Sequence, residues 1–383
     1  MVLFRMRYWI VVPLFVVMFG FCLVLSLSST TVQASDAPSA GSVVAAAAGE
    51  THTCLLTGDG AVWCWGANSY GQLGDGTRTS RRVPVPVIGL TSGIKAIAVG
   101  GHHTCALTAG GDVLCWGRNN YGQLGDGTIY LRTQPVPVRN LAQASSLAAG
   151  YAHTCAGRDD GTAACWGSNT SGQLGDNTTI SRRTPVLVNG LTQVRTVAAG
   201  GAHTCASLDD GSVRCWGNNY SGQLGDGTRT YRRAPVPVPG LGTVIAIGAG
   251  GSHSCALNTS GALACWGNNY YGQLGDGTTS QRLAPVLVNG LTAPVRDFST
   301  GLVHTCVVRE DGVAACMGWN AYGQLGDGTT TNRSLPVAVS GLPVAAMIVA
   351  ANGMGSAGHT CALVDGGLQC WGKNSYGQLG DNS

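Results

Sequence analysis

Apolar residues in this chain come in short runs, and glycine-rich loops separate the runs at regular intervals. The unit from Val194 to Leu241 shows their order, which is VRTVAAG, HTCASL, SVRCWG and APVPV. Short apolar runs bounded by Gly, Asp and Asn are typical of β-strands. The pattern therefore predicts four strands per unit. Its prolines place the fourth strand at a sheet edge, because proline has no N–H to donate to a central ladder.

The unit recurs seven times along the chain. The tetrapeptide QLGD marks each copy and begins at Gln72, Gln123, Gln173, Gln223, Gln273, Gln324 and Gln378. A single four-stranded unit cannot bury both of its faces, whereas units arranged radially bury them against their neighbours. The repeats therefore predict an all-β fold, a seven-bladed β-propeller of four-stranded blades, with the small AAG runs nearest the axis. A solenoid is the alternative, although solenoid repeats are usually shorter.

We place the repeats at approximately 43–90, 91–141, 142–191, 192–241, 242–291, 292–342 and 343–383, after a short linker at 35–42. The seventh copy stops at Ser383, just after QLGD, and so lacks the segment that supplies the fourth strand elsewhere. Residues 35–42 are too short to replace it. We expect an incomplete last blade or a fragment of a longer sequence.

Residues 1–34 have the pattern of an export segment. Arg5 and Arg7 precede an apolar run from Tyr8 to Leu27, and a polar stretch then leads to a candidate cleavage site before Ser35. The run is also about as long as a membrane span, roughly 20 residues. It is therefore a cleaved signal peptide or a single membrane anchor. Either reading places the repeats outside the cytoplasm, as a secreted, cell-surface or periplasmic protein.

Charge adds little to this picture. Arg5 and Arg7 are two of the 22 basic residues, and the others nearly balance the 19 acidic ones. This balance does not favour a nucleic-acid partner.

The cysteines occur as one pair per repeat, apart from Cys22 in the export segment. In six repeats the midpoint of the pair lies in a three-residue turn that ends in glycine, which places the two cysteines opposite each other on a hairpin. The seventh spacing is one residue shorter, and its turn becomes the two-residue Asp365-Gly366. We predict seven disulfides rather than free thiols or a metal site, because zinc knuckles need closer pairs. The predicted pairs are Cys54 with Cys64, Cys105 with Cys115, Cys155 with Cys165, Cys205 with Cys215, Cys255 with Cys265, Cys306 with Cys316, and Cys361 with Cys370.

Histidine and tryptophan also recur in register. A ring of imidazoles could bind a metal, but a residue present in every blade is better explained by capping or cross-linking backbone groups within its blade. The tryptophan after the second cysteine should fill the wedge between sheets. In the sixth repeat Met317 replaces this tryptophan, and Trp319 appears two residues later. We interpret Trp319 as a structural adjustment to that replacement rather than as a binding residue. His102 stands outside the repeat, and nothing near it in sequence suggests a role. The histidines are His52, His103, His153, His203, His253, His304 and His359.

No catalytic, cofactor or metal site is predicted. The chain has no Ser, His and acidic set outside the repeats and no phosphate-binding glycine loop that opens a helix. The GDG loops lack the alternating oxygen ligands of a calcium loop, and Asp226 and its equivalents are expected to cap backbone N–H groups.

The pattern GG-x-HTCAL-x-x-x-G-x-V-x-CWG-x-N-x-x-GQLGDGT resembles the repeats of the regulator of chromosome condensation family, from Val43 to Asp381. The resemblance implies a seven-bladed propeller that acts as a rigid interaction platform. In the founding nuclear members such a propeller drives nucleotide exchange on a small GTPase and docks on chromatin. With its export segment, this chain is more similar to secreted bacterial members, which include an enzyme inhibitor.

Alternating strand direction separates two faces. The loops between strands one and two and between three and four share one face, and the turns of the cysteine hairpins form the other. The opposite, hairpin face is acidic, with residues such as Asp159 and Asp209. Arginine favours carboxylate or anionic glycan partners, although solvation and local pairing are the alternative use. The candidate partner-binding face is the first one, with the loops between strands one and two and between three and four, and its arginines are Arg78, Arg81, Arg82, Arg132, Arg182, Arg183, Arg229, Arg232, Arg233, Arg282 and Arg333.

The leading hypothesis is a monomeric, exported, non-catalytic scaffold that binds a protein or cell-envelope component. It needs no cofactor and touches a membrane only through its N-terminal segment. Inhibition of an extracellular enzyme is a specific version of this hypothesis. The alternatives are an enzyme with a site at the channel mouth and a guanine-nucleotide exchange factor by family analogy.

Overall fold

Seven antiparallel sheets follow one another along the chain, and each takes four consecutive strands in order except the last. The computed structural model describes residues 31–32, 42–141, 143–353 and 358–383. These residues form strands, turns and loops without a helix, so no helix in this part of the chain could cross a membrane. The predicted seven-bladed propeller is confirmed. The predicted export segment lies outside the described residues except for Thr31 and Val32.

The strands are numbered in chain order, and each blade runs from the axis to the rim. The first strands are β2 Val43–Ala48, β6 Ile94–Val99, β10 Ala144–Ala149, β14 Val194–Ala199, β18 Val244–Ala249, β22 Val295–Thr300 and β26 Met347–Ala350. The second strands are β3 His52–Thr57, β7 His103–Thr108, β11 His153–Arg158, β15 His203–Leu208, β19 His253–Asn258, β23 His304–Arg309 and β27 His359–Val364.

The third strands are β4 Val62–Gly66, β8 Val113–Gly117, β12 Ala163–Gly167, β16 Val213–Gly217, β20 Leu263–Gly267, β24 Ala314–Gly318 and β28 Gly367–Gly372. The outer strands are β5 Arg81–Pro86, β9 Arg132–Pro137, β13 Arg182–Leu187, β17 Arg232–Pro237, β21 Arg282–Leu287 and β25 Arg333–Ala338, with β1 Thr31–Val32 in the last blade. The prolines of the APVPV-type runs lie in the outer strands, as predicted, where a missing N–H faces no further strand.

The central hairpin of each blade has the predicted register. Cys205 lies opposite Cys215, and Cys361 lies opposite Cys370 despite the shorter spacing. The turn glycine Gly211 has φ of 81°, a left-handed value that glycine adopts without steric cost.

All seven predicted cysteine pairs are disulfides, with Cα atoms 4.0–4.1 Å apart. Each bridge joins the second and third strands of one blade, and no bridge connects two blades in the described part of the chain. The predicted pairing is therefore confirmed. The bridges join Cys54 to Cys64, Cys105 to Cys115, Cys155 to Cys165, Cys205 to Cys215, Cys255 to Cys265, Cys306 to Cys316, and Cys361 to Cys370.

Tryptophans fill the wedges between blades, as predicted. Trp116 of the second blade is fully buried against Leu73 and Val87 of the first. Its Nε1 donates to the carbonyl oxygen of Gln72 at 2.9 Å, so the QLGD loop of one blade also anchors the ring of the next. In blade six Met317 takes this place and is fully buried. Trp319 therefore does not replace the missing ring but lies elsewhere, on the protein surface.

The repeated histidines bridge blades rather than serving only their own. His103 Nε2 lies 2.9 Å from Thr154 Oγ1 of the next blade, and that hydroxyl donates to the Gln123 carbonyl oxygen at 2.9 Å. Because the hydroxyl proton is already used, the imidazole must donate from Nε2. His359 bonds to Thr53 of the first blade, so the series closes on itself. The expectation of capping within one blade missed this link, because the repeat does not show which blade supplies the partner.

The seventh blade is built differently from the other six. Its strands β26, β27 and β28 form the inner three positions, and among the residues that the structure describes only Thr31 and Val32 pair at the outer edge of β28, opposite Gln369 and Leu368. The expectation of an incomplete last blade is confirmed. The two residues that reach this edge lie upstream of the predicted cleavage site, in a segment that was expected to serve export alone.

Candidate functional site

The face that carries the loops between strands one and two and between strands three and four is called the loop face. Short backbone hydrogen bonds connect these loops from blade to blade around the axis. Tyr151 N donates to Gly200 O at 3.2 Å, and Gly201 N donates to Gly250 O at 3.0 Å. The loops of one blade also contact each other, since Arg118 N donates to His102 O at 2.9 Å. The two loop sets therefore form one surface around the channel mouth, as strand alternation predicts.

Asn352 crosses the axis at this mouth. Its backbone N–H donates to Ala48 O in the first blade at 3.2 Å, and its side-chain Nδ2 donates to Ala199 O and Ala249 O at 3.3 and 3.2 Å. One residue thus joins the seventh blade to the first, fourth and fifth. Asn352 belongs to the stretch before His359 that is four residues longer than its equivalents in the other repeats.

A group of side chains beside this crossing is called the channel-mouth cluster, and most of its members depart from the repeat. It contains Glu50, Tyr70, His102, Arg118 and Tyr151. The His102 ring lies 5.3 Å from the Tyr70 ring and 5.9 Å from the Tyr151 ring, between centroids. The Arg118 guanidinium lies 5.1 Å from the Tyr70 centroid, a cation–π distance. His102, which had no role in the sequence pattern, is thus at the centre of this cluster.

Electrostatics inside the channel-mouth cluster favour a neutral imidazole. Burial lowers the pKa of His102, and the nearby Glu50 carboxylate only partly opposes this effect. Glu50 Oε2 lies 3.7 Å from His102 Nε2. A neutral imidazole beside a carboxylate can accept or relay a proton, and it can also serve as a polar contact for a partner. A position-by-position comparison of the seven repeats would have found these residues, because Glu50 and Tyr151 occupy a site where three other repeats carry glycine.

A second group on the loop face is the aromatic cluster of Tyr270, Tyr271, Trp319, Tyr322 and Lys373. Successive ring centroids are 5.0, 6.0 and 5.3 Å apart from Tyr270 to Tyr322. Lys373 Nζ lies 4.9 Å from the Tyr322 centroid. Tyr270 and Tyr322 are exposed, at 73% and 44%. Such a row of accessible rings beside a cation is a surface that can bury a large apolar area against a partner.

The candidate arginines divide into two sets. In six blades the first arginine of the outer strand binds the aspartate of its own QLGD loop, as Arg232 does to Asp226 at 2.8 Å. Burial raises the pKa of Asp226, but hydrogen bonds from Thr228 and Arg232 outweigh that effect and hold it below its ordinary value. These arginines are therefore part of the blade. The set comprises Arg81, Arg132, Arg182, Arg232, Arg282 and Arg333.

The other candidate arginines are less constrained. Arg82, Arg183 and Arg233 are exposed on the outer strands. Arg78 and Arg229 bond only to nearby carbonyl oxygens, those of Ser69 and Tyr220, at 2.7 and 3.4 Å. The paired arginines recur six residues after the QLGD aspartate in each of the first six repeats, whereas the other five do not recur in every repeat, so this spacing could have separated the two sets in sequence.

The repeated cysteines and histidines form no reactive site within the described residues. The paired cysteines are buried disulfides, and the seven histidines are fully buried between blades. Burial lowers the pKa of His103 to about 3 and that of His153 to about 4. In the same part of the chain, no group of three or more His, Cys, Asp or Glu side chains is arranged to hold a metal ion.

Comparison with known proteins places these features in a family. The description "RCC1-like domain" matches residues 142–383, and "Regulator of chromosome condensation (RCC1) repeat" matches 59–107 and 110–156. The chain is 44% identical over 96 residues to the mitochondrial RCC1 domain-containing protein RUG3 of Arabidopsis thaliana, covering 25% of this chain and 21% of that protein. It is 40% identical over 85 residues to the probable E3 ubiquitin-protein ligase HERC4 of Homo sapiens, covering 22% of this chain and 8% of the relative. The matches therefore span about a fifth or less of these relatives.

Solved structures share the fold over most of the chain. Human WBSCR16 superposes with a TM-score of 0.74 at 24% identity, and 86% of each chain is covered. Yeast RCC1 (Prp20), crystallised with Kap60, gives 0.73 at 21% identity over 86% of this chain and 80% of that one. At these identities the likeness concerns the fold. Together with the family match over 142–383, it shows that this chain belongs to the RCC1-like domain family.

Proposed function

We propose that the chain is an exported, non-catalytic propeller scaffold whose loop face binds a protein or cell-envelope component. The observation that carries this proposal is the position of the residues that depart from the repeat. The channel-mouth cluster and the aromatic cluster both lie on the loop face, around an axis that Asn352 crosses. Residues shared by all blades serve the fold, so the departures are where a particular partner would be recognised.

The chemistry of the loop face suits a protein surface with carboxylates. Tyr, Trp and Arg are the residue types that most often dominate binding energy at protein interfaces. Arg118 stands beside the partly buried Tyr70 ring, and Lys373 stands beside the exposed Tyr322 ring. Three further arginines, Arg82, Arg183 and Arg233, are exposed near the rim. The yeast relative has been crystallised bound to Kap60, and another structure of it concerns its binding to Gsp1p and histones. A related propeller has thus been crystallised with a protein bound to it.

Export is supported by the disulfides. Bridges in every blade require an oxidising environment, which secreted and periplasmic proteins have and the cytosol lacks. They weigh against the nucleotide-exchange alternative, which would need the propeller in a reducing compartment. Export with cleavage would give a mature chain beginning at Ser35, and the mass of the intact exported protein tests this directly.

The test of the binding face compares two variants in capture from the native exported or envelope fraction. Trp319→Ala with Tyr322→Ala removes two rings of the aromatic cluster, whereas Asp159→Lys with Asp209→Lys changes the hairpin face to a similar extent. We expect the first variant to lose the captured component and the second to retain it. Capture that survives the first variant and is lost with the second would refute the loop-face assignment.

An enzyme at the channel mouth is the second candidate, and the Glu50–His102 pair is the observation that favours it. A carboxylate beside a neutral imidazole is an arrangement used by general bases. Turnover of ester, peptide or glycoside substrates that disappears in His102→Gln, while capture through the loop face is unchanged, would favour this candidate over the scaffold.

A further inference from the structure

The first strand of each of the first six blades contains a β-bulge near the hairpin face. In blade one the register with β3 shifts between Val43 and Ala45, so Val44 between them has no partner. The same shift occurs at the second residue of the first strand in the next five blades. A bulge changes the direction of its side chain relative to the ladder. We call the six unpaired residues the bulge ring, and they are Val44, Lys95, Ser145, Arg195, Ile245 and Arg296.

Three members of the bulge ring are cations, and they alternate around the axis. Lys95, Arg195 and Arg296 belong to the second, fourth and sixth blades, and uncharged residues lie between them. All six side chains of the bulge ring are exposed. Because the other blades have Val, Ser or Ile at this position, the fold does not require a cation there. The three cations therefore depart from the repeat, as the clusters of the loop face do.

These cations surround the channel at the end opposite to Asn352. Lys95 Nζ donates to Ala144 O at 3.5 Å, and a terminal nitrogen of Arg296 donates to Ala345 O. Both carbonyl groups belong to the next blade, at or just before the start of its first strand, so these side chains follow the channel rather than the rim. At the loop face one residue, Asn352, spans the channel from the first blade to the fourth and fifth. Long side chains around so narrow a channel can contact one small ligand at the axis.

Carboxylates do not neutralise this group of cations. Within the described residues, no ion pair includes any of the three. Asp297 follows Arg296 in sequence, but its Oδ2 accepts a hydrogen bond from Ile348 N at 3.0 Å, and burial raises its pKa. Of the 19 acidic residues in the chain, only Asp36 lies outside the described part. One further carboxylate cannot balance three cations, so this end of the channel keeps a positive charge.

The surroundings of the cations select the size of an anion. The hairpin turns around them are acidic, and Asp159 and Asp209 are exposed there. Asp160 already has a cationic partner, since it lies 3.0 Å from Arg158. A long polyanion would have to cross these carboxylates and would be repelled. A small anion at the axis is instead closer to the three cations than to the turns.

We propose that Lys95, Arg195 and Arg296 bind one tetrahedral oxyanion, a phosphate or sulfate group, at the hairpin-face end of the channel. Three oxygen atoms of such a group can each face one cation. The planar fork of arginine suits this group, because it can donate two parallel hydrogen bonds to it. The proposal does not depend on the loop-face partner, because the two sites are at opposite ends of the channel.

Titration calorimetry on the purified oxidised protein at pH 7.5 and low salt tests this site, with inorganic phosphate and sulfate as probes. We expect saturable one-to-one binding that weakens in 0.5 M sodium chloride, because exposed charges are screened. Glycerol phosphate is the third probe. If it binds more tightly than inorganic phosphate, the group is recognised on a larger molecule, and the opposite order assigns the site to the free ion. Single-stranded DNA, a long polyanion, should bind more weakly than phosphate.

A matched pair of variants in blade four locates the binding. Arg195→Ser and Arg214→Ala each remove one positive charge, and each introduces the residue that blade three has at that position, Ser145 or Ala164. Arg195→Ser should weaken phosphate binding about tenfold, because a charge-assisted contact is lost. Arg214 acts on the turn carboxylate Asp210, and Arg214→Ala should weaken binding less than about twofold. Both variants should keep the wild-type melting temperature.

A gain of charge completes the test. Ser145→Arg adds a fourth cation to the bulge ring and should tighten phosphate binding. The proposal is overturned if phosphate and sulfate show no saturable binding, if Arg195→Ser and Arg214→Ala weaken it equally, or if DNA binds more tightly than phosphate. Failure of capture through the loop face would leave these results unchanged, so the two proposals can fail separately.

Discussion

The junctions between blades and the centre of the loop face are built on opposite plans. At the junctions the same contacts recur, with His Nε2 to hydroxyl distances of 2.9–3.0 Å at every boundary. On the loop face the repeats diverge, and Glu50, His102, Tyr151 and Trp319 each occur once at their positions. The contrast teaches that recurrence marks what holds the ring together, whereas departure from recurrence marks where this particular chain can bind.

The largest expected difference between the junctions and the loop face is in how low pH affects stability. Burial lowers the pKa of His203, His253 and His359 to about 3, so the folded junctions stay neutral where unfolded histidines would be protonated. Above the ordinary pKa of about 6.5, keeping a junction histidine neutral does not lower the free energy of unfolding. Below that pKa the loss grows as the pH falls, and it reaches about 2 kcal/mol per histidine at pH 5. Over seven junctions this is comparable with the whole stability of a typical domain, about 5–15 kcal/mol.

The expected result is a urea midpoint that is constant above pH 7 and falls steeply towards pH 5, measured on the oxidised protein. His102→Gln, on the loop face, should leave this profile in place. A midpoint that does not change between pH 7.5 and pH 5 would show that the junction histidines are not held neutral.

Two adjacent histidines provide a sharper version of the comparison. His103 is fully buried at a junction, whereas His102 is partly exposed in the channel-mouth cluster. His103→Ala should lower the free energy of unfolding by about 3 kcal/mol, because it leaves a cavity and an unsatisfied Thr154 hydroxyl. His102→Ala should cost less than about 1 kcal/mol. Urea unfolding at pH 7.5 measures both, and equal losses would remove the distinction between recurrent and non-recurrent residues.

The sequence was sufficient for the parts of the molecule that recur. Blade number, the Cys205–Cys215 register and the compensated turn at Asp365-Gly366 follow from local pattern alone, because a hairpin is determined within a few residues. It was insufficient where partners come from different blades. The bond from His359 to Thr53 spans 306 residues, and the cluster around His102 draws on three blades. Spacing along one chain does not show which unequal side chains meet around the axis.

The paired and exposed arginines give the smallest expected effect, and they test whether the comparison extends to charge. Arg232 and Arg233 are neighbours on β17, but only Arg232 binds the buried Asp226 carboxylate, through Nε at 2.9 Å and a terminal nitrogen at 2.8 Å. Because the guanidinium is partly exposed, Arg232→Gln should lower the free energy of unfolding by only about 0.5–1 kcal/mol. Arg233→Gln should change it by less than about 0.5 kcal/mol. Urea titrations at low and at 0.5 M salt measure both, and salt should reduce the Arg232 effect alone. If Arg233→Gln instead matched Arg232→Gln, both arginines would belong to the blade, and the binding surface would be confined to the clusters around the channel mouth.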